Sequence, residues 1–335
     1  MEELHSFLPT PQPLACGSSN TVVLTEGLTE DRQIYITGLA SFIHAPTTNN
    51  LTRFNPSLPH PVLSIASSDA NILFLLQDGS VWGIGTNREG QLGVGDNIKH
   101  IPKAVKMLLP MPATAISIHL SHSLILLQDG SVYACGNNWH GQVGNTSTRY
   151  LISVPVQVNL PQPAVKTIAL GTSSLILLVD GSVWVFGLTI FKKTGDEPLK
   201  LELPQPASDI ACNHDRYLIL LEDGTVLIYR KNEAGSLSTH ILRLPLPIKL
   251  MCATDSKDCI VLEDGSLWVS SNDEEPTEVA LDAKVVALAS GDHHTVMLLE
   301  NGEVYGFGSN WAGQLGLGRK LNRSNPTWII TLSQR

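Results

Sequence analysis

An acidic or amide residue followed by glycine recurs six times in this chain of 335 residues, each time after an apolar run and before a short strand-like segment. The pairs are Asp78-Gly79, Asp129-Gly130, Asp180-Gly181, Asp223-Gly224, Asp264-Gly265 and Asn301-Gly302, and their glycines step by 51, 51, 43, 41 and 37 residues. Periods of this size mark stacked supersecondary units, none of which buries its apolar face alone. The repeat therefore restricts the fold before any single residue is considered.

The copy around Asn301 shows the unit. Val285 to Ala289 reads as one strand, Thr295 to Leu299 as a second and Glu303 to Phe307 as a third. Asn301-Gly302 between them predicts a two-residue hairpin turn with positive φ at both central positions. Pro326 to Ile330 supplies a fourth strand. Four antiparallel strands per repeat predict a propeller blade.

The pattern recurs over Leu73 to Gly95 and Leu124 to Gly144, with Pro102 to Val105 and Pro155 to Val158 as fourth strands, and more loosely from Leu175, Leu218 and Cys259. A divergent first copy runs from Ala15 through Val22-Val23-Leu24 to Ile34 through Gly38, without the Asp-Gly turn. The expected fold is all-β, a single-domain seven-bladed β-propeller with blades at about 13–56, 62–106, 113–159, 165–203, 207–244, 248–281 and 285–332. Trp328 to Leu332 has no partner downstream, so the ring should close against the N-terminal segment near Pro13 to Cys16 and leave no open sheet edge.

Composition narrows the setting. No run approaches the ~18 apolar residues of a membrane span. The first residues, Met1-Glu2-Glu3-Leu4-His5, lack the basic and apolar regions of a secretory signal. The chain ends Leu332-Ser333-Gln334-Arg335, without a cysteine for prenylation. Five cysteines, none in a CxxC pair, fit a reducing compartment. A cytoplasmic monomer is expected; the nucleus, or host cytosol for a delivered bacterial protein, stays open. Net charge of −9 argues against nucleic acid as the main partner. Nine acidic residues and two lysines between Asp255 and Lys284 form a local −7, which reads as a solvated rim or as a patch for a basic partner.

Counting strands places the Asp-Gly hairpins on one face and two other loop sets on the opposite face. The loops before the second strands carry Asp69, Leu120, His214, Asp255 and Asp292, followed by Ala70, Ser121, Asp215, Ser256 and His293. Such side chains either cap strand ends or form an acidic and histidine rim for a partner. His122 and His294, at the second-strand starts, read as structural. The loops after the third strands carry Trp139, His140 and Trp311, where tryptophan either packs on a neighbouring blade or contacts a partner. There is no P-loop, Gly-x-Ser-x-Gly or His-Glu-x-x-His sequence. His119 and His122 lie on a strand-loop-strand path without nearby carboxylates, so no metal, cofactor or covalent catalyst is expected.

Three stretches, Asn87 through Gly95, Asn138 through Gly144 and Asn310 through Gly318, share Asn-x-x-Gly-Gln-(Leu/Val)-Gly. With the Asp-Gly hairpins, they resemble the repeat of the regulator-of-chromosome-condensation propeller family. Blades five and six, with Tyr229-Arg230 and Trp268 to Ser271, depart from it by losing the third-strand glycine and the loop. The resemblance implies a protein-binding propeller acting as a guanine-nucleotide exchange factor for the small GTPase Ran. It implies acidic and histidine residues on one face, matched here by Asp69, Asp255, Asp292 and His293. It also implies a wedge that disturbs the nucleotide site, for which Leu188, Ile190, Phe191, Lys192 and Lys193 stand in position. The alternative is a non-catalytic interaction scaffold of the same fold.

Overall fold

The computed structural model describes residues 12–25, 33–39, 48–95, 98–145, 149–191, 198–231, 236–271 and 274–332. No helix occurs among them. The described strands form seven four-stranded antiparallel sheets, each from consecutive stretches of chain, the arrangement of a seven-bladed β-propeller. The blades run from Leu14 to Phe54, Val62 to Lys106, Ala113 to Gln157, Ala164 to Lys200, Ala207 to Leu242, Ile248 to Val279 and Val285 to Thr331.

Two compact units divide the chain. Blades two to four belong to one, which spans 56–66 and 71–204; blades one, five, six and seven belong to the other, which spans 12–55, 67–70 and 205–335. In both, the second strands are the core. Ile72 to Leu76, Leu124 to Leu127, Leu218 to Leu221 and Val296 to Leu299 are all buried, on both strand faces. Such continuous apolar runs are what a strand covered on both sides requires.

Each hairpin between second and third strands differs from the sequence expectation. Gly79, Gly130, Gly181, Gly224, Gly265 and Gly302 have φ between 74° and 86°, but the preceding Asp or Asn residues are not in the positive-φ region. The Gly79 N–H reaches the Leu76 carbonyl at 2.9 Å and the Leu76 N–H reaches Ser80 at 2.9 Å. This is a three-residue loop ending in a left-handed glycine, not a two-residue mirror-image turn. Side-chain chemistry explains the preference: Asp78 Oδ1 accepts the Ser80 N–H at 3.0 Å and hydroxyl at 2.6 Å. That brace keeps Asp78 right-handed and leaves the positive φ to glycine.

The inter-blade linkers share a feature that strand counting passes over. Leu58-Pro59-His60-Pro61, Leu109-Pro110-Met111-Pro112, Leu160-Pro161-Gln162-Pro163, Leu203-Pro204-Gln205-Pro206 and Leu244-Pro245-Leu246-Pro247 repeat one Leu-Pro-x-Pro pattern. The carbonyls of Pro61, Pro112, Pro163, Pro206 and Pro247 accept N–H groups from Gln77, Gln128, Val179, Glu222 and Glu263 at 2.9–3.1 Å. Each linker is thereby pinned to the hairpin of the blade it introduces.

The first described strand and the end of the last meet in the second unit. Leu14 and Leu332 lie in one apolar cluster with Val23, Val296, Leu298 and Val304. The last strand pairs within blade seven and the first within blade one, so an apolar seam, an isolated bridge between Asn50 and Leu317 and side-chain hydrogen bonds, rather than a shared ladder, join the two blades.

Candidate partner-binding face

In the second unit, five loops between first and second strands converge through close backbone approaches. A Cβ on Gly291 would lie 2.0 Å from the Gly17 carbonyl oxygen, and one on Gly17 would lie 2.6 Å from the Ser68 carbonyl carbon. Only glycine fits either position. The Asp255 N–H donates to the Asp292 carbonyl at 2.7 Å. Asn213 donates its side-chain amide to the Thr254 carbonyl.

This frame sets two histidine–carboxylate pairs side by side. His214 Nε2 lies 3.6 Å from Asp292 Oδ1, and His293 Nδ1 lies 3.0 Å from Asp255 Oδ2. The Ser18 hydroxyl donates to the other Asp292 oxygen. Hydrogen bonding to Asp292 raises the His214 pKa, against burial, with the charges of Asp292, Asp255 and Asp215 adding to the rise. Burial raises the Asp255 pKa, as do the negative Asp292 and Asp215, while His293 and His214 pull it down. Three carboxylates thus face two partly exposed imidazoles. The arrangement suits a basic side chain.

Of the residues singled out from sequence, His214, Asp215, Asp255, Asp292 and His293 come together here. Asp69 is tied differently: its Oδ1 accepts the Ser19 N–H at 2.9 Å and hydroxyl at 3.0 Å, so it braces blade one. Trp311 is exposed on its own loop. In the first unit Trp139 stacks on Tyr150, 4.3 Å between ring centroids, and stays 56% exposed; His140 beside it is half-buried. At the candidate wedge Leu188 is exposed, Ile190 is buried and Phe191 is half-buried; Lys192 and Lys193 lie outside the described residues.

His122 and His294 are structural. His122 Nε2 lies 2.9 Å from Ser174 Oγ, whose hydroxyl hydrogen goes to the Gln142 carbonyl at 2.7 Å. His294 Nε2 lies 2.8 Å from Thr21 Oγ1, which donates to the Gln314 carbonyl at 2.7 Å. Each hydroxyl has one hydrogen and it is spent on the carbonyl, so each histidine donates from Nε2. Burial lowers their pKa values to about 3 for His122 and about 4 for His294, which keeps both neutral.

Sequence reasoning missed Ser18, Ser19 and the buried Arg216–Asp258 ion pair, 3.3 Å apart. Counting back from the Asp-Gly turns skips blade one, which has none. Aligning Gly17-Ser18-Ser19 with Gly291-Asp292-His293 by their second strands would have found the serines.

The family described as "Regulator of chromosome condensation (RCC1) repeat" matches residues 78–126, 129–178 and 301–335, and a second description of the repeat matches 115–142 and 285–314. Over those residues the chain carries RCC1 repeats. The matches fall on the blades that keep the Gly-Gln-(Leu/Val)-Gly loop, with blade four beside them. The RCC1 domain-containing protein RUG3, mitochondrial, of Arabidopsis thaliana is 33% identical over 134 residues, 39% of this chain and 30% of that protein. The ultraviolet-B receptor UVR8 of the same plant is 24% identical over 342 residues, covering 96% of this chain and 70% of the receptor. Prp20p of Saccharomyces cerevisiae, solved together with its binding properties to Gsp1p and histones, superposes with a TM-score of 0.79 at 18% identity, over 99% of this chain and 89% of that one. The last likeness speaks to fold alone.

Proposed function

We propose that this RCC1-repeat propeller binds a small GTPase of the Ran type through the loops carrying His214, Asp255, Asp292 and His293, and promotes release of its bound nucleotide. The observation that carries the reading is the convergence of two histidine–carboxylate pairs on one glycine-braced rim. The rim offers a basic partner surface three carboxylates in a fixed arrangement. The fold shared with Prp20p, whose structure was described with its binding to Gsp1p, supports a GTPase as that partner.

Nucleotide release needs no bond-making. A propeller that binds the nucleotide-free GTPase more tightly than the loaded form shifts the partner toward release by that difference in affinity. In this reading Asp292, oriented by Ser18 and paired with His214, anchors the partner. Asp255 with His293 makes the neighbouring contact, and the segment beginning at Leu188 is the candidate for disturbing the nucleotide site.

Release of fluorescent GDP from Ran and a panel of other small GTPases tests the proposal, with direct binding measured alongside. Acceleration that falls about tenfold in Asp292→Asn and Asp255→Asn is the expected result, the loss typical of a contact at the centre of an interface. Binding without acceleration would leave a non-catalytic scaffold. Neither binding nor acceleration with any GTPase would end the proposal.

A further inference from the structure

We infer a second docking surface in the first unit, a rigid aromatic platform that takes an acidic protein segment bearing a large apolar side chain. It lies at the head of the fourth strand of blade three, Leu151–Gln157.

Trp139 and Tyr150 stack with an interplanar angle of 11°, yet each remains 56% exposed. Two large rings left in water in this way are unusual unless something covers them. The stack is also held in advance. The Asn138 N–H donates to the Tyr150 carbonyl at 2.7 Å, and its side-chain amide donates to the Arg149 carbonyl at 3.3 Å. Asn138 Oδ1 meanwhile accepts the Val143 N–H at 3.0 Å, and Asn137 Oδ1 accepts the Trp139 N–H at 2.9 Å. A ring pair fixed by its backbone loses little freedom on binding, which is the property of an anchoring site.

The strand that follows Tyr150 carries further exposed apolar side chains. Leu151 and Val154 on the same strand are exposed, and so is Leu108. Val154 and Leu108 both border Gly95, where an added Cβ would lie 3.5 Å from one and 3.0 Å from the other.

Charge selects the partner. Arg149 adjoins Tyr150, and Arg88 sits on the loop whose Gly90 packs against Ile152 and Ser153. At the loop end of blades two and three, the charged side chains among the described residues 87–100 and 149–151 are Arg88, Lys99 and Arg149 against Glu89, whereas Lys106 lies at the other end of its strand beside Asp78. The amide of Asn137 already takes Glu89 Oε2 at 3.1 Å. Asp96 lies outside the described residues. In a chain of net charge −9, three cations against one carboxylate on the loops of this strand end are the reverse of the acidic rim. An acidic segment is drawn to the cations and seats its apolar side chain on the rings.

Selection of random peptides displayed on phage against the whole protein at low salt tests this. The best peptide is then resynthesised and measured beside a version with each Glu or Asp replaced by Lys. The expected winners combine acidic and aromatic or leucine residues, and lose about tenfold or more in affinity for Trp139→Ser and for Arg88→Glu/Arg149→Glu. The lysine version should bind wild type poorly and regain affinity for the arginine-reversed variant. Thermal melting of each variant separates lost binding from lost folding. The inference is overturned by basic or neutral winners, by acidic winners indifferent to Trp139→Ser in a folded protein, or by no enrichment. None of these outcomes depends on the GTPase reading.

Discussion

Blades three and seven hold their next neighbours by one chemistry, and blade five holds blade six by another. After blades three and seven, the residue opening the second strand is histidine, and it donates to a hydroxyl on the adjacent blade. That hydroxyl passes its own hydrogen to a carbonyl in the Gly-Gln-(Leu/Val)-Gly loop. After blade five the same position is Arg216, whose guanidinium meets Asp258 at 3.3 Å and the Thr254 carbonyl at 2.6 Å.

The cause lies one strand away. Gly136 and Gly308, opposite the two histidines, have φ of 111° and 105°, and pairing to the fourth strand shifts register beside them. Blade five has Arg230 opposite Arg216, and its third and fourth strands pair in regular register. Without that kink the loop is gone, and with it the carbonyl that a hydroxyl would need. An ion pair closes the junction by itself. The lesson of these three junctions is that the lock keeps its position, while its chemistry follows what the adjacent loop can supply.

The largest test of this contrast removes half of the ion pair. Arg216→Met strands Asp258 in a buried site, and denaturant unfolding should show a loss of about 3–5 kcal/mol. Arg216→Met with Asp258→Leu should recover most of that loss. A single variant as stable as wild type would break the comparison. Next in size is the glycine. Gly136→Ala would set a Cβ 2.3 Å from the Ser121 carbonyl oxygen at positive φ, and should cost about 1–3 kcal/mol in the same assay. Arg230→Ala, on a regular strand, should cost less than that.

Acid sharpens the distinction through His122 and His294, whose folded pKa values of about 3 and about 4 lie below the ordinary value of 6.5. The unfolded chain binds protons first. Stability from keeping these rings neutral is therefore complete above about pH 6.5 and is lost as pH falls toward 4 and then 3. Melting temperatures of His122→Gln/His294→Gln should fall less over that range than those of the wild type. The smallest effect concerns what both junctions share. Pro161→Ala before blade four and Pro245→Ala before blade six should each cost about 0.4–1 kcal/mol, by freeing the unfolded chain. A marked inequality would mean that the linkers too are tuned to the lock.

Much of this was legible from residue spacing. The Asp-Gly period and the apolar second strands place all seven blades, because a buried strand between turns leaves a strong one-dimensional signal. The rim was legible as a set, since Asp255, Asp292, His214 and His293 fall at equivalent repeat positions. Its pairing was not, because which carboxylate meets which imidazole depends on backbone packing at Gly17 and Gly291 that leaves no room for a Cβ. The Arg216–Asp258 bond joins residues 42 apart in different repeats, and nothing in a single repeat's pattern announces it. The turn type was misjudged because an Asp-Gly pair serves two loop geometries. The choice between them goes with the backbone N–H two positions further on, which the Asp or Asn side chain accepts in all six loops.

The consecutive order of strands within every blade has a consequence for inheritance. Among the described residues no sheet borrows a strand from beyond its own linker, so the segment of chain that would be copied or deleted between two linkers is also a complete set of paired strands. A duplication cut at the Leu-Pro-x-Pro linkers would deliver a finished sheet, and each copy could afterwards drift toward a different lock without unpairing a neighbour.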